Sequence, residues 1–483
     1  MENIESYDKA HQEFTRERIT HWDQVAKVWN SPVKINQYYH RRLVEIYQSL
    51  VPPHMKVLEL GCGQGDLLAA LNPVKGMGVD FSSEMIEQGK EKHPSLKFVH
   101  SDAHDFHYDG KFDVIILSDL VNDLWDVQKV IRNMRQYCTP HTRVIINFYS
   151  RMWEFPLRIS EVLGFSKPVL LQNWLTVDDV KNLLQLESFE YIQAKTEIIW
   201  PINTPLVDAI FNKFLIRFWP FHLFALTNFI ISRPAPFQRE TGEEESNVSV
   251  IIPVRNEEGH VPQYFSRIPQ MGKSTEIVFV EGHSKDNTYE AVQDEIARHP
   301  DWKTQLYKQS GEGKGDAVRL GFEKATGDIL MILDGDLTVS PEDLPLFYDA
   351  LVSGKGEFVN GVRLIYPMGK KAMRFWNFIG NKFFSLAFSW LLGQPIKDTL
   401  CGTKVLWKRD YEKIAANRAI FGNFDPFGDF DLLFGAARLN LKIIEIPIRY
   451  RERIYGETNI QRWKHGWLLL QMAALAAKKL KFI

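Results

Sequence analysis

Short apolar runs alternate with longer helix-like segments along most of the chain, and each run is followed by a polar or glycine-bearing loop. This alternation is typical of α/β domains with mainly parallel sheets. It is interrupted at residues 233–247 (RPAPFQRETGEEESN), where prolines and an acidic run replace the hydrophobic periodicity. We therefore predict two α/β domains, over residues 1–233 and 247–483, joined by a linker over 234–246.

Composition limits where the protein acts and what it binds. The formal net charge of the 483 residues is -2, which gives no general attraction to nucleic acid, so no nucleic-acid partner is expected. The three cysteines (Cys62, Cys138 and Cys401) form no CxxC pair. This usage argues against a disulfide framework and a zinc site, and it predicts a reducing, cytoplasmic location.

Three apolar stretches are candidates for contact with a membrane. They are FNKFLIRFWPFHLFALTNFII, FFSLAFSWLL (383–392) and the near-terminal WLLLQMAALAA. None reaches the roughly 20 uninterrupted apolar residues that a transmembrane helix requires. Aromatic and leucine-rich stretches flanked by Lys and Arg suit either a membrane interface or a core helix. The sequence therefore predicts no integral membrane protein and leaves open a peripheral position on the inner face of a membrane.

The segment MKVLELGCGQGDLLAAL indicates a strand, a glycine-rich turn and a helix in the first domain. Gly61, Gly63 and Gly65 allow a tight turn and a close approach of the backbone to a ligand. Asp80 ends the next predicted strand, where such sheets place a carboxylate on ribose hydroxyls. A dinucleotide fingerprint has Gly or Ala where this chain has Asp66, which argues against NAD. The pattern therefore favours another nucleoside-containing ligand.

With VLELGCGQGD, GVDFSSEMI, FVHSDAHDF and FDVIILSDLVNDL, residues 35–233 resemble the Rossmann-like S-adenosylmethionine-dependent methyltransferases. The resemblance implies S-adenosylmethionine as the cofactor. It also implies a sheet closed by an antiparallel strand pair, FEYIQAKTEIIWP and FALTNFIISRP, with an apolar insertion (201–222) between the two strands. The cofactor contacts that it implies are Glu59, Gly61 and Gly63 beside the methionine part, Asp80 at the ribose, Asp102 and Ala103 at the adenine, and Asp119 near the sulfonium.

The loop SDAHDFHYD brings two histidines and several acidic residues together, a composition that invites a metal site. Its potential ligands do not alternate as on a metal-binding strand, and Asp102 already has an implied role at the adenine. We therefore interpret the segment as a solvated loop. No catalytic base is indicated for methyl transfer, because that reaction mostly requires alignment of the nucleophile.

Carboxylates, glycines and a lysine follow successive predicted strands of the second domain. EIVFVEGHSKDNT places Glu281 at a strand end, and the glycine-bearing loop GEGKGDAVRLGFEKATGD carries Lys314, which suits a diphosphate. The apolar run 329–333 then ends in Asp334 and Asp336, which on an extended segment point to the same side. Open α/β folds bind ligands at this edge of the sheet. We therefore predict a divalent cation, Mg²⁺ or Mn²⁺, on the two aspartates, where it would hold a nucleotide-sugar diphosphate.

These motifs make residues 247–465 resemble the inverting GT-A glycosyltransferases of family 2, and within them the dolichyl-phosphate mannose synthase-like branch. IIPVRNEE matches the first strand of that family, and DGD matches its DxD metal motif. VNGVRLIYPMG, IKDTLCGTKVLWKRD and EIPIRYRERIYGETNI match its acceptor-side blocks. The resemblance then implies a UDP- or GDP-sugar as the donor. This chain has Glu281-Gly282 where the family usually has a pair of aspartates, so the nucleotide base is left open between uracil and guanine. The substrate contacts implied are Pro253, Asn256, Glu257, Glu281, Lys314, Asp334, Arg363, Arg374 and Arg449.

The acceptor-side blocks are rich in arginine, whose planar fork can bind two phosphate oxygens. Apolar segments next to them, 378–392 and 467–477, suit a lipid phosphate at a membrane surface. Such an acceptor is already ionised and needs no base, and Arg453 is then a candidate catalytic contact. A hydroxyl acceptor would instead need a base, for which the candidates are Asp398, Asp429 and Asp431.

We therefore predict a bifunctional enzyme, a methyltransferase fused to a metal-dependent inverting glycosyltransferase with a polyprenyl phosphate as acceptor. The metal would stabilise the departing diphosphate. Two alternatives stay open. In one, the same fusion glycosylates a hydroxyl of a glycan or small metabolite. In the other, the N-terminal half is a cofactor-binding regulatory module without turnover.

Overall fold

The computed structural model describes residues 2–28, 34–162, 170–236, 246–363, 375–418, 428–449 and 462–482. The chain divides into two compact units, Met1–Ala235 with Phe482–Ile483, and Pro236–Lys481. Within the described ranges, each unit holds a seven-stranded sheet with helices packed against it. The predicted fold class, two α/β domains, is confirmed.

The first unit has the strand order β3-β2-β1-β4-β5-β7-β6. All neighbouring strands are parallel except that β7 runs antiparallel to β5 and β6, so the predicted closing pair is confirmed. The strands are β1 (Lys56–Leu60), β2 (Lys75–Asp80), β3 (Lys97–His100), β4 (Phe112–Ser118), β5 (Cys138–Tyr149), β6 (Phe189–Glu197) and β7 (Thr227–Pro234). The helices are α1 (Glu2–Val28), α2 (Lys34–Leu50), α3 (Asp66–Ala70), α4 (Ser83–Lys92), α5 (Val127–Met134), α6 (Glu154–Val162), α7 (Val177–Leu186) and α8 (Val207–Ala209).

The register of this sheet brings the loops of the glycine motif and its acidic partners to one edge. Leu60, the last residue of β1, lies opposite Val79 on β2 and Leu117 on β4. The strands are apolar on both faces because helices cover both, and two buried clusters form the core on either side. The side chains that follow β1, β2 and β4 therefore emerge together at the carboxyl edge.

The second unit has the strand order β10-β9-β8-β11-β13-β12-β14, in which β13 alone is antiparallel to its neighbours. The strands are β8 (Asn247–Val254), β9 (Ser274–Glu281), β10 (Lys303–Lys308), β11 (Ile329–Ile332), β12 (Phe358–Val362), β13 (Lys404–Trp407) and β14 (Ile443–Pro447). The helices are α9 (Tyr264–Arg267), α10 (Thr288–Arg298), α11 (Lys314–Lys324), α12 (Leu344–Val352), α13 (Phe375–Leu392), α14 (Lys408–Ala416), α15 (Asp429–Arg438) and α16 (Arg462–Ala476). Short 3-10 or π turns occupy Arg135–Tyr137, Arg151–Trp153, Ile210–Phe214, Leu215–Arg217, Phe221–Phe224, Glu258–Gln263, Pro341–Asp343 and Ala477–Lys481.

The reversed direction of β13 brings the loop before it to the same edge as the ends of the parallel strands. Gly361 near the end of β12 donates its N–H to the carbonyl of Thr403, 3.0 Å away. Residues 398–403 therefore lie at the carboxyl edge, where β8, β9 and β11 also end. The ends of these three strands and the loop 398–403, which are far apart in the sequence, thus lie at one edge of the sheet.

One local expectation is wrong. The strand β11 ends at Ile332, and Gly335-Asp336 form a turn instead of continuing an extended segment. The rule that residues i and i+2 point to one side applies to extended backbone and therefore does not describe Asp334 and Asp336.

Two of the predicted site residues, Arg374 and Arg453, lie outside the described residues. Among the helices that the structure describes, none combines the length and the apolar character that a bilayer crossing requires.

Candidate functional site

In the first unit, the loop after β1 has a backbone that requires glycine. Gly61 (φ +70°) and Gly63 (φ +51°) both adopt left-handed conformations. A Cβ on Gly61 would also lie 2.7 Å from Leu120 Cδ1. The Gly61 N–H donates to the Val79 carbonyl at 2.8 Å, which ties the loop to the end of β2. The glycine motif is therefore explained by turn geometry together with close packing.

Asp80 is buried at the end of β2 and organises the elements on either side of it. Its Oδ2 accepts the Gly63 N–H at 2.8 Å and its Oδ1 accepts the Ser82 N–H at 2.9 Å. Burial raises the pKa of Asp80, and these two hydrogen bonds only partly oppose that effect. One carboxylate thus joins the glycine loop to the start of α4.

A cleft lies at this edge of the sheet. Of the residues predicted to contact the cofactor, Gly61, Asp80, Asp102 and Ala103 line it, whereas Glu59, Gly63 and Asp119 are not among its lining residues. Glycines at a tight turn, a carboxylate at the end of β2 and an open cleft between them fit a nucleoside-containing cofactor. The residues present therefore fit S-adenosylmethionine.

The wall of this cleft also includes α1, which sequence reasoning did not connect with the site. Phe14, Thr15 and Arg18 of α1 line the cleft. The Arg18 Nε donates to Asp123 Oδ1 at 2.9 Å, and Trp22 Nε1 donates to Asp123 Oδ2 at 2.7 Å. No motif links these helix positions to a residue about a hundred positions further on, so the sequence carries no local signal for this contact.

Among the described residues, His11, Asp102 and His104 form a group whose potential metal-ligand atoms lie within 4.8 Å of one another. The Asp126 N–H donates to His104 Nε2 at 3.1 Å, so that nitrogen is an acceptor and the proton of the neutral ring is on Nδ1. His104 Nδ1 then donates to Asp102 Oδ1 at 2.6 Å. Both ring nitrogens of His104 therefore form hydrogen bonds within the protein, and we interpret the group as a hydrogen-bonded wall of the cleft.

Glu59 and Asp119 are acidic residues at the ends of neighbouring strands. Burial raises the pKa of Glu59 well above its usual value. Asp119 (φ +54°) accepts hydrogen bonds from Tyr39 Oη at 3.0 Å and Asn147 Nδ2 at 2.6 Å. Burial nevertheless raises the pKa of Asp119 to about 7. Above that pH this carboxylate can accept a proton.

In the second unit, Lys314 at the start of α11 pairs with Asp334 just after β11. The Lys314 Nζ lies 2.6 Å from Asp334 Oδ1, and the two side chains are 27% and 25% exposed, which leaves the pair accessible to a ligand. Burial opposes ionisation of both groups, but their mutual attraction outweighs it, so the pKa of Asp334 is lowered and that of Lys314 is raised. Gly402 lies against this pair, because a Cβ there would overlap the Asp334 carboxylate and Lys314 Nζ.

The glycine between the two aspartates has a structural cause. A Cβ on Gly335 would lie 2.8 Å from the Pro253 carbonyl oxygen on β8. The Tyr264 hydroxyl donates to the Gly335 carbonyl at 2.7 Å and fixes the turn. Asp336 Oδ1 accepts from the N–H and the hydroxyl of Thr338, at 3.1 and 2.7 Å.

The donor set at this turn fits a hard divalent cation, which prefers carboxylate oxygens. The Asp334 carboxylate is paired with Lys314, and Asp336 Oδ1 accepts hydrogen bonds from Thr338. Two carboxylates therefore lie close together at this turn, which is the type of donor that such an ion prefers.

Residues of the predicted nucleotide contact set meet at the ends of β8 and β9. Asn256 (φ +56°) accepts the Lys285 N–H on its Oδ1 at 2.7 Å, and Glu281 accepts the Ser284 N–H on its Oε1 at 2.5 Å. The Glu257 carboxylate lies 2.8 Å from His260 Nδ1, and both residues are buried. These contacts connect the two loops into one wall beside β8.

Arg363 and Asp398, which belong to the predicted acceptor-side blocks, form a two-pronged ion pair. Arg363 Nε donates to Asp398 Oδ2 at 2.7 Å, and its Nη2 donates to Oδ1 at 2.9 Å. Burial opposes ionisation of Asp398, but the charge and hydrogen bonds of Arg363 outweigh it and lower the pKa of Asp398. A carboxylate with a lowered pKa has little tendency to accept a proton, which disfavours Asp398 as a base.

The other two carboxylates that were candidate bases are also ion-paired. Asp429 lies 3.0 Å from the buried Lys404 Nζ, and Asp431 lies 2.7 Å from Arg418 Nε. Arg449, the remaining predicted substrate contact in this part of the chain, is exposed after β14. All three carboxylates therefore have a cationic partner.

Comparison with protein families agrees with the two folds. Residues 52–188 match the model of a methyltransferase domain, and residues 249–414 match the model of glycosyl transferase family 2. The chain thus joins a methyltransferase domain to a family 2 glycosyltransferase domain, and both resemblances seen in the sequence are confirmed.

Curated relatives are similar to part of the chain. A dolichol-phosphate mannosyltransferase of Pyrococcus furiosus is 30% identical over 226 residues, which cover 44% of this chain and 59% of the relative. An undecaprenyl-phosphate 4-deoxy-4-formamido-L-arabinose transferase of Pseudomonas aeruginosa is 28% identical over 215 residues, again 44% of this chain and 59% of the relative. The chain thus spans about three fifths of the length of these relatives.

Among solved structures, a SAM-dependent methyltransferase of Thermotoga maritima, described as a possible histamine N-methyltransferase, is similar to part of the chain. It matches at a TM-score of 0.36 and 12% identity, over 44% of this chain and 99% of that one.

Proposed function

We propose that the chain is a bifunctional transferase whose second domain transfers a sugar, with inversion, from a UDP- or GDP-sugar to a polyprenyl phosphate. The observation that carries the choice of acceptor is the ion pairing of every candidate base, Asp398, Asp429 and Asp431. The two relatives, a dolichol-phosphate mannosyltransferase and an undecaprenyl-phosphate 4-deoxy-4-formamido-L-arabinose transferase, support the same choice.

In the proposed reaction, positive groups of the chain lie beside the negative charges of the donor diphosphate and of the acceptor phosphate. Glu281 and Asn256 line the donor side, and Lys314 provides a positive charge next to the diphosphate. Asp336, with Asp334 in support, would hold Mg²⁺ or Mn²⁺. When bound, such an ion supplies Lewis-acid stabilisation of the leaving diphosphate. Arg363, with Arg374, Arg449 and Arg453 as further cations, would orient the acceptor phosphate for attack on the opposite face of the sugar.

We expect Arg363→Ala to reduce transfer to a short-chain polyprenyl phosphate by roughly 10- to 150-fold. The reason is the loss of a charge-assisted contact of about 1.5–3 kcal/mol, with each 1.36 kcal/mol worth tenfold in rate. Donor hydrolysis, which uses no acceptor, should change far less. The measurement is a transfer assay over a panel of UDP- and GDP-sugars with Mn²⁺ or Mg²⁺, and Arg298→Ala is the control, since that arginine is 69% exposed at the end of α10.

If the acceptor is a hydroxyl group, we expect the opposite ranking of the substitutions by their effect on sugar transfer. Asp429→Asn or Asp431→Asn would then abolish transfer, and Arg363→Ala and Arg453→Ala would have mild effects. Asp398→Asn does not separate the two cases, because it also removes the partner that holds Arg363. Since Arg363→Ala likewise leaves the buried Asp398 without that partner, its loss of transfer supports the lipid phosphate only if Arg453→Ala shows a loss as well. Normal transfer by both arginine variants beside an inactive carboxylate variant would refute the lipid-phosphate acceptor.

For the first domain, we propose methyl transfer from S-adenosylmethionine, with the cofactor in the cleft lined by Gly61, Asp80, Asp102 and Ala103. When bound, the cofactor supplies the methyl group. Asp80 would bind the ribose hydroxyls, and Asp119 offers a carboxylate that can accept a proton above about pH 7. Glu59 and Gly63 would border the methionine part.

We expect Asp80→Ala to weaken the binding of S-adenosylmethionine by roughly 10- to 150-fold, because a carboxylate–hydroxyl contact contributes about 1.5–3 kcal/mol. Binding is measured by calorimetry on the full chain, with Asp109→Ala, in an exposed loop position, as the control. Unchanged affinity in Asp80→Ala would contradict the assignment of the cleft. Cofactor binding without any methyl transfer would instead favour a regulatory module.

A further inference from the structure

The connection between β6 and β7 exposes an unusual number of large apolar side chains. Leu206 is 78% exposed, Ile210 51%, Trp219 78%, Leu223 50% and Phe224 53%. In a soluble surface loop such side chains would normally pack inward. The connection covers residues 198–226 and so includes the predicted insertion (201–222) together with the residues that join it to the two strands; from here on we call the whole connection the apolar insertion.

Polar contacts on its inner side hold the apolar insertion in this orientation. Asn212 is fully buried, and its Oδ1 accepts the N–H groups of Ile199 and Trp200, both at 2.8 Å. Its Nδ2 donates to the Tyr38 hydroxyl at 2.9 Å. Arg217 adds two hydrogen bonds to the buried Glu197, at 2.6 and 2.9 Å. Since the inner side is already filled by this network, the apolar side chains stay on the surface.

A neighbouring segment enlarges the apolar surface. The Trp153 Nε1 donates to the Phe224 carbonyl at 3.0 Å, so the residues after β5 lie against the apolar insertion. There Met152 is 60% exposed, Phe155 73% and Ile159 44%. Eight side chains of this kind expose on the order of 100 Å² each. Their sum is larger than the roughly 300–600 Å² of the largest apolar patch on a typical monomer, which indicates an interaction surface.

The position of this surface in the fold and the charges around it decide what it can bind. The insertion joins the carboxyl end of β6 to the start of β7, where Thr227 lies opposite Tyr149 and Glu197. It therefore lies at the edge of the sheet that also carries the cofactor cleft. The same two segments carry the exposed cations Lys213 and Arg151 and the acidic residues Asp208 and Glu154, the second of which is paired with Arg158. Aromatic and leucine side chains with interspersed basic residues are the composition of lipid-binding surfaces.

We propose that the apolar insertion, with residues 151–159, docks the methyltransferase domain on an anionic lipid bilayer with the carboxyl edge of its sheet towards the membrane. This inference rests on the proposed function in one respect, since a polyprenyl-phosphate acceptor keeps the protein at a membrane. Vesicle binding needs neither donor nor acceptor. Failure of docking is therefore distinguishable from failure of the proposed sugar transfer.

The first experiment follows the environment of single positions in the full chain. Because Cys62, Cys138 and Cys401 are all buried, Trp219→Cys provides a position that an environment-sensitive fluorophore labels selectively. Val74→Cys is the matched control, because Val74 is 66% exposed and precedes β2 at the opposite edge of the sheet. Vesicles of equal parts phosphatidylcholine and phosphatidylglycerol should shift the emission of the label at position 219 to the blue and leave that at 74 unchanged. Equal shifts at both positions, or none at 219, would overturn the proposal.

The second experiment measures affinity for the same vesicles by flotation. The triple variant Trp219→Ser, Leu223→Ser, Phe224→Ser should partition at least about 100-fold more weakly than wild type, since each large apolar side chain contributes about tenfold or more. Val74→Ser should bind normally. Unchanged calorimetric binding of S-adenosylmethionine shows that the triple variant is folded. If the folded triple variant binds vesicles as tightly as the wild type does, docking is refuted. Docking is also refuted if the wild type binds no vesicles and instead forms a dimer that the triple substitution dissociates.

Discussion

Asp336→Asn is expected to reduce sugar transfer on the order of 10³-fold, because a bound divalent cation contributes several kcal/mol of charge stabilisation at the leaving diphosphate. The substitution keeps the size of the side chain and still allows the Oδ1 contacts with Thr338, so it removes the charge and leaves the turn in place. The first domain should bind S-adenosylmethionine as before. The measurements are the sugar-transfer assay and calorimetry on the same preparation.

Asp301→Asn is the matched control, since Asp301 is exposed in the same domain. We expect Asp334→Asn to be nearly as severe as Asp336→Asn, because it leaves Lys314 without its carboxylate partner. Full transfer by the wild-type protein in the presence of a chelator would be inconsistent with the proposed metal role.

Gly402→Ala is the second substitution with a large expected effect, about 100-fold or more in sugar transfer. A Cβ at this position overlaps the Asp334 carboxylate and the Lys314 Nζ, so the ion pair has to separate or rotate. Both groups belong to the proposed diphosphate site, and removing one preorganised charge contact at such a site costs about 10²–10³ in rate. The substitution adds only a methyl group and changes no charge.

Thermal unfolding of the second domain and binding of S-adenosylmethionine by the first are the controls for Gly402→Ala. We expect cofactor binding to be unchanged, since Gly402 lies in the other compact unit. A folded Gly402→Ala protein with wild-type sugar transfer would show that the Lys314–Asp334 pair is not part of the reaction centre.

The general architecture was predictable because hydrophobic periodicity and turn residues are local properties of a sequence. The apolar run 329–333 predicts a buried strand, and β11 covers Ile329–Ile332. Likewise, the segments around 189–201 and 224–234 predict the closing strand pair that β6 and β7 form. In both cases the pattern lies within about ten residues, so neighbouring positions carry the information.

Contacts between distant segments were not predictable in the same way. The choice of Asp398, Asp429 and Asp431 as candidate bases used residue type alone, and the sequence gives no sign that Arg363, Lys404 and Arg418 would pair with them. The turn at Gly335-Asp336 depends on the approach of Pro253 from β8, which only the folded sheet brings about. The position of α1 at the cleft of the first unit depends in the same way on Asp123.

The pairing of Arg363 with Asp398 has a consequence for the entropy of acceptor binding. Two hydrogen bonds to a fully buried carboxylate restrict the rotamers of Arg363 before any ligand arrives. Immobilising a long side chain on binding costs about 0.5–1.5 kcal/mol. For Arg363 this loss of conformational freedom occurs when the protein folds, so the proposed acceptor phosphate would meet a guanidinium that Asp398 already restricts and that is 16% exposed.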